Sequence, residues 1–460
     1  MKTLLSLLLG GALLAAGCDI WGTAARLASD GAVDDGWAGE EDGKPADATD
    51  GFDGDQASAD TDGCVLGQDV FMAVKLADGY FSRPDRLLSG LFDRQPAFDL
   101  VVQDDQSEIL MVLVNLRLEM SGSTFENSAK LSFGTYPVER AVAFDAGTSS
   151  QRDNSYDIAV MTMEDGTPPK QKLHVLKNSA TSLAFSSFEG FPVVASEMYG
   201  SANLMAGRFN DDDAPDLLVN VAYQGSSNYL YLWSGDTFTL HSGNLALDPM
   251  EKYLVKDLDG DERDDLVFVE LPDMANPQNP KWIKVALGGK TASDGFFALR
   301  QVASFSELVT RDLITADFNG DGFQDLALAV SASDNKTELR FFVGTNIGGV
   351  FEKFSESFSS YFVDTTAVRL QAADLDGDGK EELMAGDLNS AEVLVLRNTA
   401  SNLSIAMKQV FAVKACADYG YRMKDMLAAP VDEDRWPDLI VACGTDSEGA
   451  IYFLFNTCGR

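Results

Sequence analysis

Asp317-Phe318-Asn319-Gly320-Asp321-Gly322-Phe323-Gln324-Asp325 decides the fold. It sets oxygen-bearing side chains at loop positions 1, 3, 5 and 9, with glycine at position 6. Hard cations such as Ca²⁺ take six to eight oxygen ligands from a short loop of this kind. The carbonyl of Phe323, at position 7, is the expected extra ligand. A continuous apolar run follows, Leu326-Ala327-Leu328-Ala329-Val330, as in a strand buried on both faces.

The pattern recurs. Asp257, Asp259, Asp261 and Asp265 form one further copy, and Asp374, Asp376, Asp378 and Glu382 another. Position 7 is Arg263 in the first and Lys380 in the second, so their carbonyls are expected beside that of Phe323. Four copies are eroded. Asn210, Asp212 and Asp216 keep positions 3, 5 and 9 behind Arg208 and make a weak fourth site. Asp432, Asp434 and Asp438 follow Pro430, and Leu91–Asp99 keeps Asp93 and Asp99. The copy from Asp145 to Asp157 carries an insertion, with Asp153 as a candidate ligand. The last acidic positions are 99, 157, 216, 265, 325, 382 and 438, spaced by 58, 59, 49, 60, 57 and 56 residues. A nearly fixed period over seven units signals a repeat fold.

Within a unit the reading is all-β. Residues 313–318 lead into the loop, and 326–332, 338–344 and 350–358 follow as β-branched or aromatic runs between Gly, Asn, Asp and Ser. Four short strands per unit of about 57 residues describe a propeller blade. The Asp-Phe-Asn-Gly-Asp-Gly-x-x-Asp-Leu run and its repetition resemble the FG-GAP/VCBS repeats, the blades of integrin alpha-subunit headpieces and of many bacterial surface proteins. The resemblance covers roughly residues 64–460. It implies a seven-bladed β-propeller with four antiparallel strands per blade and Ca²⁺ in the hairpin between the first two strands, at about three sites and at most four. The last unit supplies Met426–Val431, Asp438–Cys443 and Ile451–Asn456, one strand short of a blade. Val70–Leu76 lies before the first full unit and is expected to complete it.

Residues 1–17 read as an export signal, with Lys2, the apolar run Leu4–Ala16 and small residues after it. The ending Leu14-Ala15-Ala16-Gly17-Cys18 resembles a bacterial lipoprotein signal and implies lipidation of Cys18 and a place in the cell envelope. An ordinary secretory signal is the alternative. Residues 18–63 hold thirteen Asp or Glu against Arg26 and Lys44, and read as a disordered acidic tether. Residues 64–460 are the propeller. Cys64, Cys416, Cys443 and Cys458 allow three pairings. The expected topology brings Cys64 to Cys458 and Cys416 to Cys443, and an exported chain keeps disulfides.

Net charge is −37, which excludes nucleic acid as a natural partner. The acidic loops read as Ca²⁺ pins that stiffen hairpins, ahead of Ca²⁺ as a regulated switch. Mg²⁺ demands stricter geometry, and no Cys/His cluster offers a zinc site. His174 and His241 are the two histidines, each read as a strand or turn residue. No phosphate-cradling loop or nucleophile elbow appears. The expected function is a monomeric binding, adhesion or scaffolding module for a protein or glycan. The alternative is a polysaccharide-active, lyase-like enzyme, since some such enzymes use similar propellers. The loop Pro272–Trp282 and the tyrosines Tyr223, Tyr229 and Tyr231 are candidates for a contact face; packing between blades is the competing role for the aromatics.

Overall fold

The computed structural model describes residues 71–456 apart from short loop segments, the longest of which is 188–200. The signal at 1–17, the tether at 18–63, and Cys18, Cys64, Asp153, Asp434 and Cys458 lie outside the described residues.

The chain forms seven four-stranded antiparallel sheets arranged as the blades of a propeller. Blades 1 to 6 take their strands from 84–132, 138–187, 201–240, 250–305, 310–363 and 368–412. Blade 7 takes three from the end of the chain, Arg422–Ala429, Asp438–Gly444 and Gly449–Asn456. Its outer strand is Phe71–Lys75, antiparallel to the last with Phe71 opposite Asn456 and Lys75 opposite Tyr452.

Burial follows strand position. Second strands are covered on both faces, as in Asp325–Ser331 and Asp438–Gly444, which explains their unbroken apolar runs. Fourth strands lie at the rim and are largely exposed, as in Ala184–Ser187 and Phe297–Phe305. The core lies between blades. Seven apolar clusters each join two neighbouring blades, including one that packs Leu100, Met111 and Phe125 of blade 1 on Leu427, Ile440 and Phe453 of blade 7. Each buried Leu or Phe contributes roughly 1.5–3 kcal/mol, and no blade can bury its faces alone.

Blade 5 departs from expectation. Its fourth strand is Ser359–Val363, not 350–358. Gly344–Ile347 and Val350–Phe354 instead form a separate hairpin. Phe351 and Phe354, 1% and 0% exposed, enter the core between blades 4 and 5, and Arg300 of blade 4 donates to the carbonyls of Phe351 and Glu352. An apolar pair available to the core outcompetes a rim position that buries little.

Candidate functional site: the acidic hairpins

Every acidic loop joins the first strand of a blade to its second. The position-9 acid is always the first residue of the second strand. All seven are buried, between 0% and 4% exposed. In six blades one carboxylate oxygen accepts the N–H of position 2: Phe92 to Asp99 (2.7 Å), Ala146 to Asp157 (3.0 Å), Phe209 to Asp216 (3.3 Å), Leu258 to Asp265 (2.9 Å), Leu375 to Glu382 (2.9 Å) and Val431 to Asp438 (3.0 Å). In six blades, all but blade 6, an oxygen of the same acid accepts an N–H near the end of the third strand, from Asn115, Asn178, Trp233, Gly288, Gly344 or Asn456, at 2.7–3.0 Å. Position 9 is therefore a staple that ties the acidic loop to the third strand. This explains why the eroded blades keep Asp99, Asp157, Asp216 and Asp438 after losing other acids.

The staples are costly to ionise. Burial, opposed by the backbone donors, pushes Asp99 and Asp325 up to about 7, and Asp265 and Glu382 up to about 8. Asp216 is also raised, chiefly by burial.

Position 1 organises the loop itself. Asp317 accepts N–H bonds from Gly320, Asp321 and Gly322; Asp257 from Gly260, Asp261 and Glu262; Asp374 from Gly377 and Gly379. Position 5 accepts the N–H of position 7 at Asp261, Asp321, Asp378 and the eroded Asp212. Asn319 and Asn210 accept the N–H two residues on. These turns need left-handed backbone at positions 4 and 6, supplied by Gly320 and Gly322, and at one position by Glu262 with φ of 69°.

Neighbouring hairpins are latched. The position-8 N–H of one blade donates to the position-1 carbonyl of the blade before, as in Tyr156 to Leu91, Asp264 to Arg208 and Glu381 to Asp317. The carboxylates of Asp264 and Glu381 accept the N–H of Arg208 and Asp317 in return, at 2.8 and 2.7 Å. Position 8 is proline at Pro215 and Pro437, which have no N–H to give. Position-7 side chains also lean on the preceding loop. Arg263 pairs with Asp211 at 2.6 Å and with Asp261, Lys380 covers Gly320, and Trp436 covers Gly377.

The residues fit a hard cation unequally. Carboxylate oxygens of Asp257, Asp259 and Asp265 lie within 4.8 Å of one another, and so do those of Asp374, Asp376 and Glu382. Asp259 Oδ1 and Asp325 Oδ2 are buried without a hydrogen bond, as are both Asp376 oxygens and Glu382 Oε1 of the third loop, the state expected of oxygens prepared for a cation. Asp259 is raised by burial first and then by Asp261 and Asp257. Asn319 joins Asp321 and Asp325 through its amide, at 2.9 and 3.4 Å. Among the described residues no ion pair reaches Asp257, Asp259 or Asp265, nor Asp317, Asp321 or Asp325. The third loop differs. Arg397 enters it, with Nη1 2.8 Å from Asp376 Oδ2, Nη2 on Asp378 and Nε 3.5 Å from Glu382 Oε1. At the eroded loop Asn210 donates to Asp212 at 3.1 Å and Asp216 is held in its staple.

The remaining sequence candidates are placed as follows. Cys416 and Cys443 form a disulfide with Cα atoms 6.0 Å apart. His174 lies 3.0 Å from Thr162 Oγ1 and packs on Phe133, and His241 packs on Phe296. Tyr231 is fully buried between blades 2 and 3 with Tyr229 against it, while Tyr223 lies outside the described residues. Trp282 is half-buried in the third strand of blade 4; residues 272–275 and 277–278 of the adjoining loop lie outside the described residues. Sequence reasoning missed Arg397, the staple, and the lean of position 7 on the preceding loop.

Residues 317–385 match the FG-GAP-like repeat family. No curated protein matches the chain. Solved structures similar in fold include a lectin of Agrocybe aegerita described for recognition of non-reducing terminal N-acetylglucosamine, 13% identical over 83% of this chain and 97% of that one, with a TM-score of 0.41. Another is the Dos1 propeller, 10% identical over 81% and 77%, with a TM-score of 0.43. A third is the S. cerevisiae core factor, 12% identical over 86% and 62%, with a TM-score of 0.49.

Proposed function

We propose that this chain is a cell-envelope lipoprotein, lipidated at Cys18, whose acidic tether presents a calcium-stabilised propeller that binds or scaffolds a protein or glycan. The observation that carries the calcium reading is the buried oxygens of Asp259 and Asp325 that accept no hydrogen bond, in loops where, among the described residues, no ion pair reaches Asp257, Asp259, Asp265, Asp317, Asp321 or Asp325. Asp257, Asp259, Asp261 and Asp265 with the Arg263 carbonyl would hold one ion. Asp317, Asn319, Asp321 and Asp325 with the Phe323 carbonyl would hold another. A bound Ca²⁺ neutralises carboxylates that otherwise repel one another and resist ionisation. The chain's own residues do the rest: the position-9 staple fixes each loop to its blade, and the latches carry that stiffness to the neighbouring blade.

A rigid ring with FG-GAP repeats is compatible with a binding or scaffold module, and the faces between stiffened blades are where such folds offer loops to a ligand. The test is retention of the full chain on immobilised acidic and neutral polysaccharides and on intact envelopes carrying a photo-crosslinker, with Ca²⁺ and with EDTA. Calcium-dependent retention or a discrete crosslinked partner, without shortening of the polysaccharide, supports the reading. Release of unsaturated sugar ends moves the chain to the lyase-like alternative. Neither retention nor crosslinking contradicts both.

A further inference from the structure

The three complete acidic loops share one backbone design, so a difference among them carries information. Arg397 supplies it. It lies next to the end of the third strand of blade 6, Glu392–Asn398, one step beyond the Leu383–Leu396 pair and so across from Glu382. At the corresponding place the other two complete blades carry Leu287 and Val343, neither of which can enter a loop as a cation.

The guanidinium makes ion pairs with three of the four acids of its loop, Asp376, Asp378 and Glu382. Asp376 and Glu382 are 2% and 0% exposed, and the partly exposed Arg397 side chain brings its charge to these buried acids. A guanidinium is permanently charged and its planar fork matches several carboxylates at once. Being tethered to the adjacent strand, it acts at a high effective concentration that dissolved calcium must overcome. A divalent ion and a guanidinium also repel, so both cannot share these oxygens. The basic side chain of the first loop does not do this. Arg263 pairs with Asp261 and with Asp211 of the preceding loop, and makes no ion pair with Asp257, Asp259 or Asp265.

We propose that Arg397 is the resident cation of loop 374–382 and competes divalent ions out of it, leaving loops 257–265 and 317–325 to answer to calcium. The second half rests on the calcium reading above; the first half does not. The hairpin of blade 6 then stays pinned when calcium is removed. Blades 4 and 5 loosen under the same conditions.

The experiment uses Tb³⁺ as the probe on the full chain. The Trp436 ring packs on Gly377 inside the loop, so Trp436-sensitised emission reports loop 374–382, and Trp436→Phe identifies that share of the signal. Arg397→Gln is expected to bring Trp436-sensitised binding at least tenfold tighter than wild type, with Arg397→Lys close to wild type. Equal affinity in wild type and Arg397→Gln overturns the proposal. Should Arg397→Gln fail to fold, bound Ca²⁺ is counted in Asp376→Asn: an unchanged count supports the proposal and the loss of one ion overturns it. If Asp321→Asn leaves the wild-type ion count unchanged, the calcium reading of loop 317–325 fails, yet the gain in Arg397→Gln still decides the role of Arg397.

Discussion

Asp99→Ala separates the staple from any metal. Asp99 is 1% exposed and accepts N–H bonds from Phe92 at 2.7 Å and Asn115 at 2.8 Å. Its loop lacks the acids that a cation would need, keeping only Asp93 beside it. Truncation leaves two buried donors unpaired, at about 1–3 kcal/mol each, or about 2–6 kcal/mol in all. Unfolding entropy scales at about 2.1 cal/mol/K per residue, so for a body of roughly 390 residues this lowers Tm by about 2–7 °C. Relief of a buried charge works the other way above pH 7, so the scan belongs at pH 6, below the raised value of about 7 for this carboxyl. The assay is differential scanning fluorimetry in EDTA and again in millimolar Ca²⁺, with the same loss expected in both. A loss below about 1 kcal/mol, or one that appears only with Ca²⁺, would refute the staple.

Burial raises Asp99 to about 7 and Asp425 to about 6, from an ordinary 3.8. The unfolded chain ionises first, so the stability these groups confer is full below about pH 4 and is lost as pH rises through 6 to 7. In EDTA, Tm should fall from pH 4.5 to pH 8, and a rise would contradict the assignment. Reduction of Cys416–Cys443, whose partners stand 27 residues apart, should cost about 3.5 kcal/mol, read as a lower denaturation midpoint in dithiothreitol than in its absence. Gly377→Ala puts a Cβ 2.7 Å from the Trp436 ring at a φ of +71°. It should lower Tm by a few degrees and change Trp436 fluorescence, whereas the same change at Gly379, which has open space around it, should cost only the backbone strain of about 1 kcal/mol.

The inner part of each blade was legible because its signals are local. An acid at a fixed period starts the second strand, and that strand is an unbroken apolar run because both its faces are covered. The fourth strand was less legible. At the rim, Ser359–Val363 alternates exposed and half-buried residues and carries little pattern, while the more apolar 350–354 is drawn into a hairpin whose phenylalanines reach the core. The role of position 9 was only half legible. Its retention in eroded loops was visible, but its donors lie 7–11 and 16–23 residues away and meet it only after three strands pair. Arg397 was not legible, since 15 residues separate it from Glu382 and strand pairing alone brings them together. The lean of Trp436 on Gly377 depends on two blades docking, which no local pattern records.

The central claim is a propeller pinned by calcium at two loops, and the most direct measurement is a count of bound Ca²⁺ on the full oxidised chain alongside its Tm in EDTA and in saturating Ca²⁺. At a hundred times Kd each filled site adds about 2.7 kcal/mol, which for a body of this size is about 3 °C per ion. Two bound ions and a rise of about 6–7 °C are expected, with Asp259→Asn and Asp321→Asn each weakening one site. No bound ion and no rise in Tm would mean that the loops are turns closed by their own carboxylates, and the calcium reading would be wrong.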